Sequence, residues 1–247
     1  MSITGPPDGS PYRLGVAIGD IATGMFAVQG ILAALVARAR TGQGQRVDIA
    51  MLDAVPSLLT YQASTAFATG VTPSRMGNRH PSIAPYDTFA AADGEFVLSV
   101  GNDDQFRRLA SVLQRPALAA DPRFRTNADR VANTDVLRRE LSALLAGWRR
   151  ADLLAALRDA GVPSAAVRTI TEALRDPQLA AREMVVPLEH VAAGSVRVLG
   201  TPLKLSATPA TVRTAPPALG QHTDAILAEV GLSGDQIAEL RRDRAIQ

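Results

Sequence analysis

The chain has 247 residues, of which 47% are hydrophobic and 20% charged, a composition that is typical of a folded globular protein and excludes an intrinsically disordered one. Its 26 basic and 24 acidic residues leave a net charge of +2, and no basic run is long enough to indicate nucleic-acid binding. Cysteine is absent and the three histidines lie far apart, so the sequence offers no disulfide framework and no metal-ligand spacing. We therefore expect neither a disulfide-stabilised fold nor a metal centre.

The first predicted element is a helix over about residues 21–40, with Asp20 as its N-cap. Apolar side chains occupy every face of the helix, and no charge occurs before Arg38. Such a helix must be covered on all sides, which predicts burial. Gly24 and Gly30 are expected to let another element approach closely.

The uncharged stretch inside this helix is shorter than the roughly 20 apolar residues that span a bilayer. The first nine residues are polar turn sequence and lack the pattern of a secretory signal. The expectation is therefore a soluble, cytoplasmic protein that has no contact with a membrane.

A second, nearly uncharged helix is predicted over about residues 50–68, where Gly70 ends it. Residues 70–86 then form a long loop rich in turn residues, and loops of this length are usually linkers or functional. Residues 75–80 combine two guanidinium groups, an amide and an imidazole, a set that suits a carboxylate or phosphate ligand. The competing interpretation is a solvated connector.

After the loop the pattern changes to charged amphipathic elements. A hairpin is predicted around Asp93-Gly94 and two extended segments around Ala193-Gly194. The other elements are a strand over about 162–168 and helices over about 104–113, 128–148, 151–160, 171–182 (capped by Thr171), 223–230 and 234–244.

These patterns divide the chain into four segments. Residues 1–72 are predicted as a segment of nearly uncharged helices that packs outside the middle block, 73–86 as the connecting loop, 87–205 as a small α+β domain, and 206–247 as a linker with C-terminal helices.

Signatures of common enzyme classes are missing: the sequence has no P-loop, no dinucleotide fingerprint and no Gly-x-Ser-x-Gly elbow. The acidic run 102–105 (NDDQ) has two interpretations, a helix N-cap or a paired-carboxylate acid/base site, and the cap is favoured. For His222, before a predicted helix, a capping role is likewise favoured over a catalytic one.

Six short segments, in this order, together resemble the family III CoA-transferases, which include formyl-CoA and L-carnitine CoA-transferases and α-methylacyl-CoA racemases. They are GVAIGDIATG at 15–24, RTGQGQRVD at 40–48, GNRHP at 77–81 with APY at 84–86, DPRF at 121–124, AGVP at 160–163 and LGQHT at 219–223.

The resemblance implies an activity and a fold. Family enzymes move CoA between carboxylic acids through an aspartyl-CoA thioester, so acyl-CoA and a carboxylic acid are the expected substrates, with no permanently bound cofactor. The family fold has a Rossmann-like large domain and a small domain, and two subunits interlock as a homodimer. Here we expect an α/β fold with an incomplete, mostly helical remnant of the large domain and a small α+β domain.

The resemblance also implies what this chain lacks. The family's nucleophilic aspartate lies in a Gly-Tyr-Asp-type motif upstream of the segment that matches Gly19-Asp20. We therefore expect no catalytic residue in this chain, little activity from it alone, and an N-terminal part supplied separately. The expected substrate-binding residues are Gly77, Asn78, Arg79 and His80.

Two alternatives remain open. One is an acyl-CoA racemase or epimerase of the same family, although racemase relatives carry an Ile-Glu-Pro-Gln-Phe-like stretch where this chain has residues 102–106 (NDDQF), which favours a transferase. The other is a non-catalytic binding or assembly subunit.

Overall fold

The computed structural model describes residues 1–246, and the chain divides into two compact units, unit 1 (Met1–Val167) and unit 2 (from Arg168 onward). The described part of unit 1 contains α1 (Ile18–Thr41), α2 (Met51–Ser57), α3 (Tyr61–Thr69), β1 (Tyr86–Ala91), β2 (Gly94–Ser99), α4 (Asp103–Val112), α5 (Pro116–Ala120), α6 (Asn127–Ala132), α7 (Thr134–Leu145), α8 (Arg150–Asp159) and β3 (Ser164–Ala166). The described part of unit 2 contains α9 (Ile170–Ala173), α10 (Pro177–Ala181), β4 (Val185–His190), β5 (Gly194–Leu199), α11 (Thr223–Glu229) and α12 (Gly234–Arg242).

The core of unit 1 forms around an antiparallel sheet of order β1-β2-β3. The predicted hairpin around Asp93-Gly94 is confirmed, with Phe89 opposite Phe96 across the ladder. Amphipathic helices α4, α7 and α8 bury their apolar stripes in the same cluster as the sheet, because leucines recur there at helical spacing. The fully buried leucines of these helices are Leu109, Leu137, Leu141, Leu145, Leu153 and Leu157.

Three helices predicted as continuous are each interrupted. The predicted helix 50–68 is α2 and α3, separated where Pro56 lies in the last turn of α2 and Thr60 has a φ of +44°. The predicted helix 128–148 is α6 and α7, which meet at Asn133. The predicted helix 171–182 is α9 and α10, and the cap of α9 is Thr169, not Thr171. At Asn133 the apolar period continues across the break, so the pattern does not reveal it, whereas Pro56 and Asp176-Pro177 are local signals of the other two interruptions.

Helix α1 differs from its prediction at its start. It begins at Ile18, so Asp20 lies within the first turn and the N-cap position is Ala17, which makes no side-chain cap. A Cβ on Gly30 would lie 2.9 Å from Val47, so this glycine does permit a close approach, whereas Gly24 has no neighbour within 4 Å.

The predicted burial of α1 is wrong for the part of the chain that the structure describes, where Ala22 is its one buried residue. The segment with Val47 and Ile49 packs at Gly30 and α2 packs at Gly19, which leaves the rest of the helix uncovered. With 24 residues and a mean hydropathy of 1.7 in its most apolar window, α1 is also long and apolar enough to cross a membrane.

Unit 2 contains a second hairpin, in which β4 and β5 pair antiparallel from Val185 opposite Leu199 to His190 opposite Gly194. This confirms the two extended segments predicted around Ala193-Gly194. The C-terminal helices are also found, and Ser233 caps α12 in a reciprocal arrangement with Gln236. The division between the units falls inside the predicted segment 87–205, and the four-segment division stays a prediction.

Replacement of a core leucine tests the packing of unit 1. Leu141→Ala removes a fully buried side chain from α7 and should lower the free energy of unfolding by about 3 kcal/mol, because it leaves a cavity. The matched control is Leu52→Ala on α2, where the leucine is 82% exposed and the expected loss is under about 0.5 kcal/mol. Urea denaturation measures both, and equal losses would contradict this core.

Candidate functional site

The first half of the loop before β1 is fixed to the N-terminal segment. Arg75 donates from Nε to the carbonyl of Pro6 (3.2 Å) and from Nη2 to the carbonyl of Gly9 (2.7 Å). The backbone N–H of Gly77 donates to the carbonyl of Gly5 at 3.0 Å. Arg75 therefore organises the backbone here and is not aimed at an open site.

The four predicted substrate-binding residues each occupy a different setting. Gly77 is exposed and adopts a φ of +65°, a conformation that glycine accommodates best. The exposed Asn78 donates from Nδ2 to Oγ1 of Thr88 at 3.0 Å. Arg79 forms an ion pair from Nη1 to Oδ1 of Asp135 on α7 at 2.7 Å.

The fourth residue, His80, is held between two aromatic rings. Its ring centroid lies 5.4 Å from that of Tyr61 and 5.4 Å from that of Tyr86, and the latter pair is stacked. The backbone N–H of Ser82 donates to Nδ1 of His80 at 3.2 Å, so the neutral ring carries its proton on Nε2. Stacking and this hydrogen bond fix the orientation of the imidazole.

The second half of the loop is held by α6, which sequence reasoning did not identify. Oδ1 of Asn127 accepts from the N–H of Ala84 (3.1 Å), and its Nδ2 donates to the carbonyl of Ser82 (2.8 Å). Arg130 donates from Nε to the carbonyl of Ala84 at 2.6 Å. Nothing in the local sequence pattern distinguishes Arg130 from the exposed arginines around it.

Arg130 is fully buried, and its guanidinium bonds in three directions. Besides Ala84, it donates from Nη1 to the carbonyl of Phe124 (3.1 Å) and from Nη2 to Oδ1 of Asp103 (2.8 Å). Its plane lies over the ring of Phe106, 4.6 Å from the centroid. One side chain thus joins the loop, the DPRF segment and α4.

The acidic run before α4 is a helix start. Asn102 accepts from the N–H of Gln105 at 2.9 Å, which confirms the predicted N-cap. Asp103 pairs with Arg130, and Asp104 pairs with Arg108 at 3.0 Å. The two carboxylates have different arginine partners and do not share a site.

The inner side of the loop is closed. Buried Asp87 forms an ion pair with Arg138 of α7, next to the Arg79–Asp135 pair on the same helix. The remaining crevice, lined by His80 among others, has a volume of about 10 Å³, the space of one water molecule. This crevice has no room for a substrate, whereas Gly77 and Asn78 on the outer side of the loop are exposed.

Two carboxylates near the DPRF segment are held in the ionised form. The side-chain hydrogen bond from Arg123 lowers the pKa of Asp121, and the same bond raises the pKa of Arg123. The hydroxyl of Thr126 lowers the pKa of Asp129, which completes the capping box of α6. Neither acid is poised to exchange protons near neutral pH.

The histidines remain separate. His222 occupies the N-cap position of α11 but makes no side-chain cap, so the favoured capping role is wrong. His190 accepts backbone N–H groups in the β4–β5 turn. Within residues 1–246, no group of three or more histidines and acids could hold a metal ion.

Comparison with known proteins gives consistent matches. A family model described as CoA-transferase family III matches residues 1–223. The succinate–glutarate CoA-transferase of Agrobacterium fabrum is 41% identical over 230 residues, which are 93% of this chain and 58% of that protein. The acetyl-CoA:oxalate CoA-transferase of Acetobacter aceti is 42% identical over 207 residues, 83% of this chain and 52% of that protein.

The fold is also found in a solved structure. A crystal structure of a CAIB/BAIF family protein from Brucella suis has a TM-score of 0.80 and 42% identity, covering 93% of this chain and 60% of that one. The mixed helix-and-sheet fold is therefore that of the CAIB/BAIF proteins. The chain spans between about half and three fifths of the length of the relatives it matches.

Removal of the buried guanidinium tests how the loop is held. Arg130→Met leaves the carbonyls of Ala84 and Phe124 and the carboxylate of Asp103 without their donor, so the free energy of unfolding should fall by about 3 kcal/mol. Hydrogen exchange in residues 82–86 should also become faster. The control Arg125→Met changes an exposed arginine five positions earlier and should shift stability by under about 0.5 kcal/mol. Unchanged stability and exchange in Arg130→Met would contradict the anchoring role.

Proposed function

Because this chain belongs to CoA-transferase family III, we propose that it is part of an enzyme that exchanges CoA between a CoA thioester and a free carboxylic acid. The observation that carries the proposal is the 41% identity, over 93% of this chain, to a succinate–glutarate CoA-transferase. Relatives named for glutarate, oxalate and mesaconate make short dicarboxylic acids the first substrates to test.

The proposed reaction proceeds through an aspartate nucleophile. Its carboxylate attacks the thioester carbonyl, CoA thiolate leaves, and a mixed anhydride forms. The thiolate then attacks the aspartyl carbonyl, which releases the first acid and gives the aspartyl-CoA thioester. The acceptor carboxylate then attacks the aspartyl carbonyl of this thioester, which releases CoA thiolate and gives a second mixed anhydride. The thiolate attacks the acyl carbonyl of the acceptor, which releases the new CoA thioester and restores the aspartate. Covalent catalysis of this kind divides a difficult exchange into easier steps.

We place the nucleophile outside these 247 residues. Three carboxylates near residues 70–86, the candidate loop, each form an ion pair. The pairs are Asp87 with Arg138, Asp103 with Arg130, and Asp135 with Arg79. A carboxylate that is stabilised by an arginine is a weaker nucleophile, which supports a separate aspartate. An upstream segment or a partner chain would supply it.

The candidate loop is proposed to contact the substrate from its outer side, through Gly77, Asn78, Arg79 and His80. The carboxylate that pairs with Arg79 belongs to Asp135, whose side chain is 73% exposed. Ion pairs with an exposed partner are weak, so a substrate carboxylate or a CoA phosphate can replace Asp135 on the guanidinium.

Residues 1–72 are proposed to belong to a Rossmann-like large domain completed by protein that is not part of this chain. Large apolar side chains remain exposed over this segment, and patches of this kind mark protein interfaces. They include Met25, Val28, Leu32, Val36, Leu52 and Phe67. A homodimer and an upstream segment are the proposed partners, and a cytoplasmic location is part of the same proposal, in which protein and not lipid covers α1.

A fusion protein tests the transferase proposal. The part of the Agrobacterium fabrum relative that precedes its match to this chain would be joined to residues 1–247, and CoA exchange between succinyl-CoA and glutarate would be followed by mass spectrometry. The fusion should exchange CoA, whereas the chain alone should not, because it lacks the nucleophile. Robust exchange by the chain alone would contradict the placement of that aspartate. A folded fusion that catalyses α-carbon deuterium exchange without CoA transfer would instead support a racemase.

Two variants of the same fusion test the role of Arg79. Arg79→Gln removes the guanidinium and should raise the KM for substrate roughly tenfold, as expected for the loss of a charge-assisted hydrogen bond. The matched control Asp135→Asn removes only the competing carboxylate and should leave the KM unchanged or lower it. Equal effects of the two substitutions would indicate that the ion pair merely stabilises the loop.

A further inference from the structure

Unit 2 contains a solvent-open cavity of about 430 Å³ between residues 171–175 and the β4–β5 hairpin, and both of its arginines are exposed. This volume lies within the range of small-molecule sites in proteins. Two arginines and a hydroxyl face it beside an aliphatic wall. The lining residues used below are Thr171, Leu174, Arg175, Val185, Arg197 and Leu199.

The charge of Arg197 is not balanced within its hairpin. Its direct cross-strand partner is Pro187, which has neither a charge nor a polar side chain. Glu189 lies two residues further along the same face of β4, on the diagonal, and forms no ion pair with it. Ser195, Leu199 and Val185 are its other neighbours on this exposed face, and none of them carries a charge.

The charge of Arg175 is also available to a ligand. Asp176, next in sequence, pairs with Arg168 and accepts the N–H of Gln178, and the bond from Arg168 lowers the pKa of its carboxyl. The carboxylate of Glu172 accepts from the N–H and the hydroxyl of Thr169, each at 2.8 Å. Among residues 1–246, neither Arg175 nor Arg197 forms a salt bridge.

We propose that this cavity binds a small organic oxyanion, with Arg175 and Arg197 as the cationic contacts. Guanidinium groups bind carboxylate and phosphate oxygens through paired hydrogen bonds, and the hydroxyl of Thr171 offers a further donor. The aliphatic wall of Leu174, Val185 and Leu199 favours an anion that carries a short carbon chain. The site requires no transferase activity, so its test is independent of the function proposed above.

The test is a titration of the full 247-residue chain with glutarate, measured by isothermal calorimetry at low ionic strength against a chloride control. Saturable binding that depends on both Arg175 and Arg197 is expected. Arg175→Gln and Arg197→Gln should each weaken it roughly tenfold, since each removes a charge-assisted contact. The matched control Arg182→Gln, an exposed arginine of the same unit outside the cavity lining, should bind as the unchanged chain does. Circular dichroism establishes that each variant folds.

Two further titrations identify the source of the oxyanion. If inorganic phosphate binds more tightly than glutarate, and binds Arg197→Gln more weakly than the unchanged chain, the site is assigned to a phosphate group such as those of CoA. If glutarate binds more tightly than phosphate, the site is assigned to a free carboxylic acid. Absence of saturable binding by either anion, or affinities that are equal in all three variants, would overturn the proposal.

Discussion

The buried guanidinium of Arg130 is the interaction on which the arrangement of unit 1 depends. A charge that is removed from water is costly unless hydrogen bonds and an opposite charge compensate it. Here two carbonyl oxygens, the carboxylate of Asp103 and the ring of Phe106 do so. Since the guanidinium is planar and rigid, its donors fix the relative positions of the chain segments that accept them. The position of the candidate loop is consequently set by the core of unit 1 more than by the loop's own sequence.

Whether a structural feature could be predicted from the sequence depends on how far along the chain its determining residues lie from it. Both hairpins and the start of α4 were predictable because turn residues and Asn102 act on their immediate neighbours. The interruption at Asn133 was not, because the apolar spacing continues through it. The residue types of the loop identified it as a candidate site. Its anchors Asn127 and Arg130 are more than 40 positions away from the atoms they hold, a distance at which no local pattern carries information.

Helix α1 shows a different limit of prediction from sequence. Its composition correctly indicates that something must cover it, yet composition does not say which polypeptide does so. Within the described residues, the segment with Val47 and Ile49 reaches it at Gly30 and leaves most apolar side chains in solvent. This chain spans about half to three fifths of the length of the relatives it matches, and the proposed large domain rests on interpreting α1 as an interface with protein outside this chain.

The anchor of the loop also has an evolutionary consequence. Asn127 and Arg130 contact only main-chain atoms of Ser82 and Ala84, which every amino acid presents alike. Side chains at positions 78–83 can therefore be exchanged without disturbing the attachment that holds them in place, whereas Gly77 is constrained by its positive φ. Under the proposed transferase function, point mutations at these positions can alter the choice of acid while the attachment of the loop is inherited unchanged.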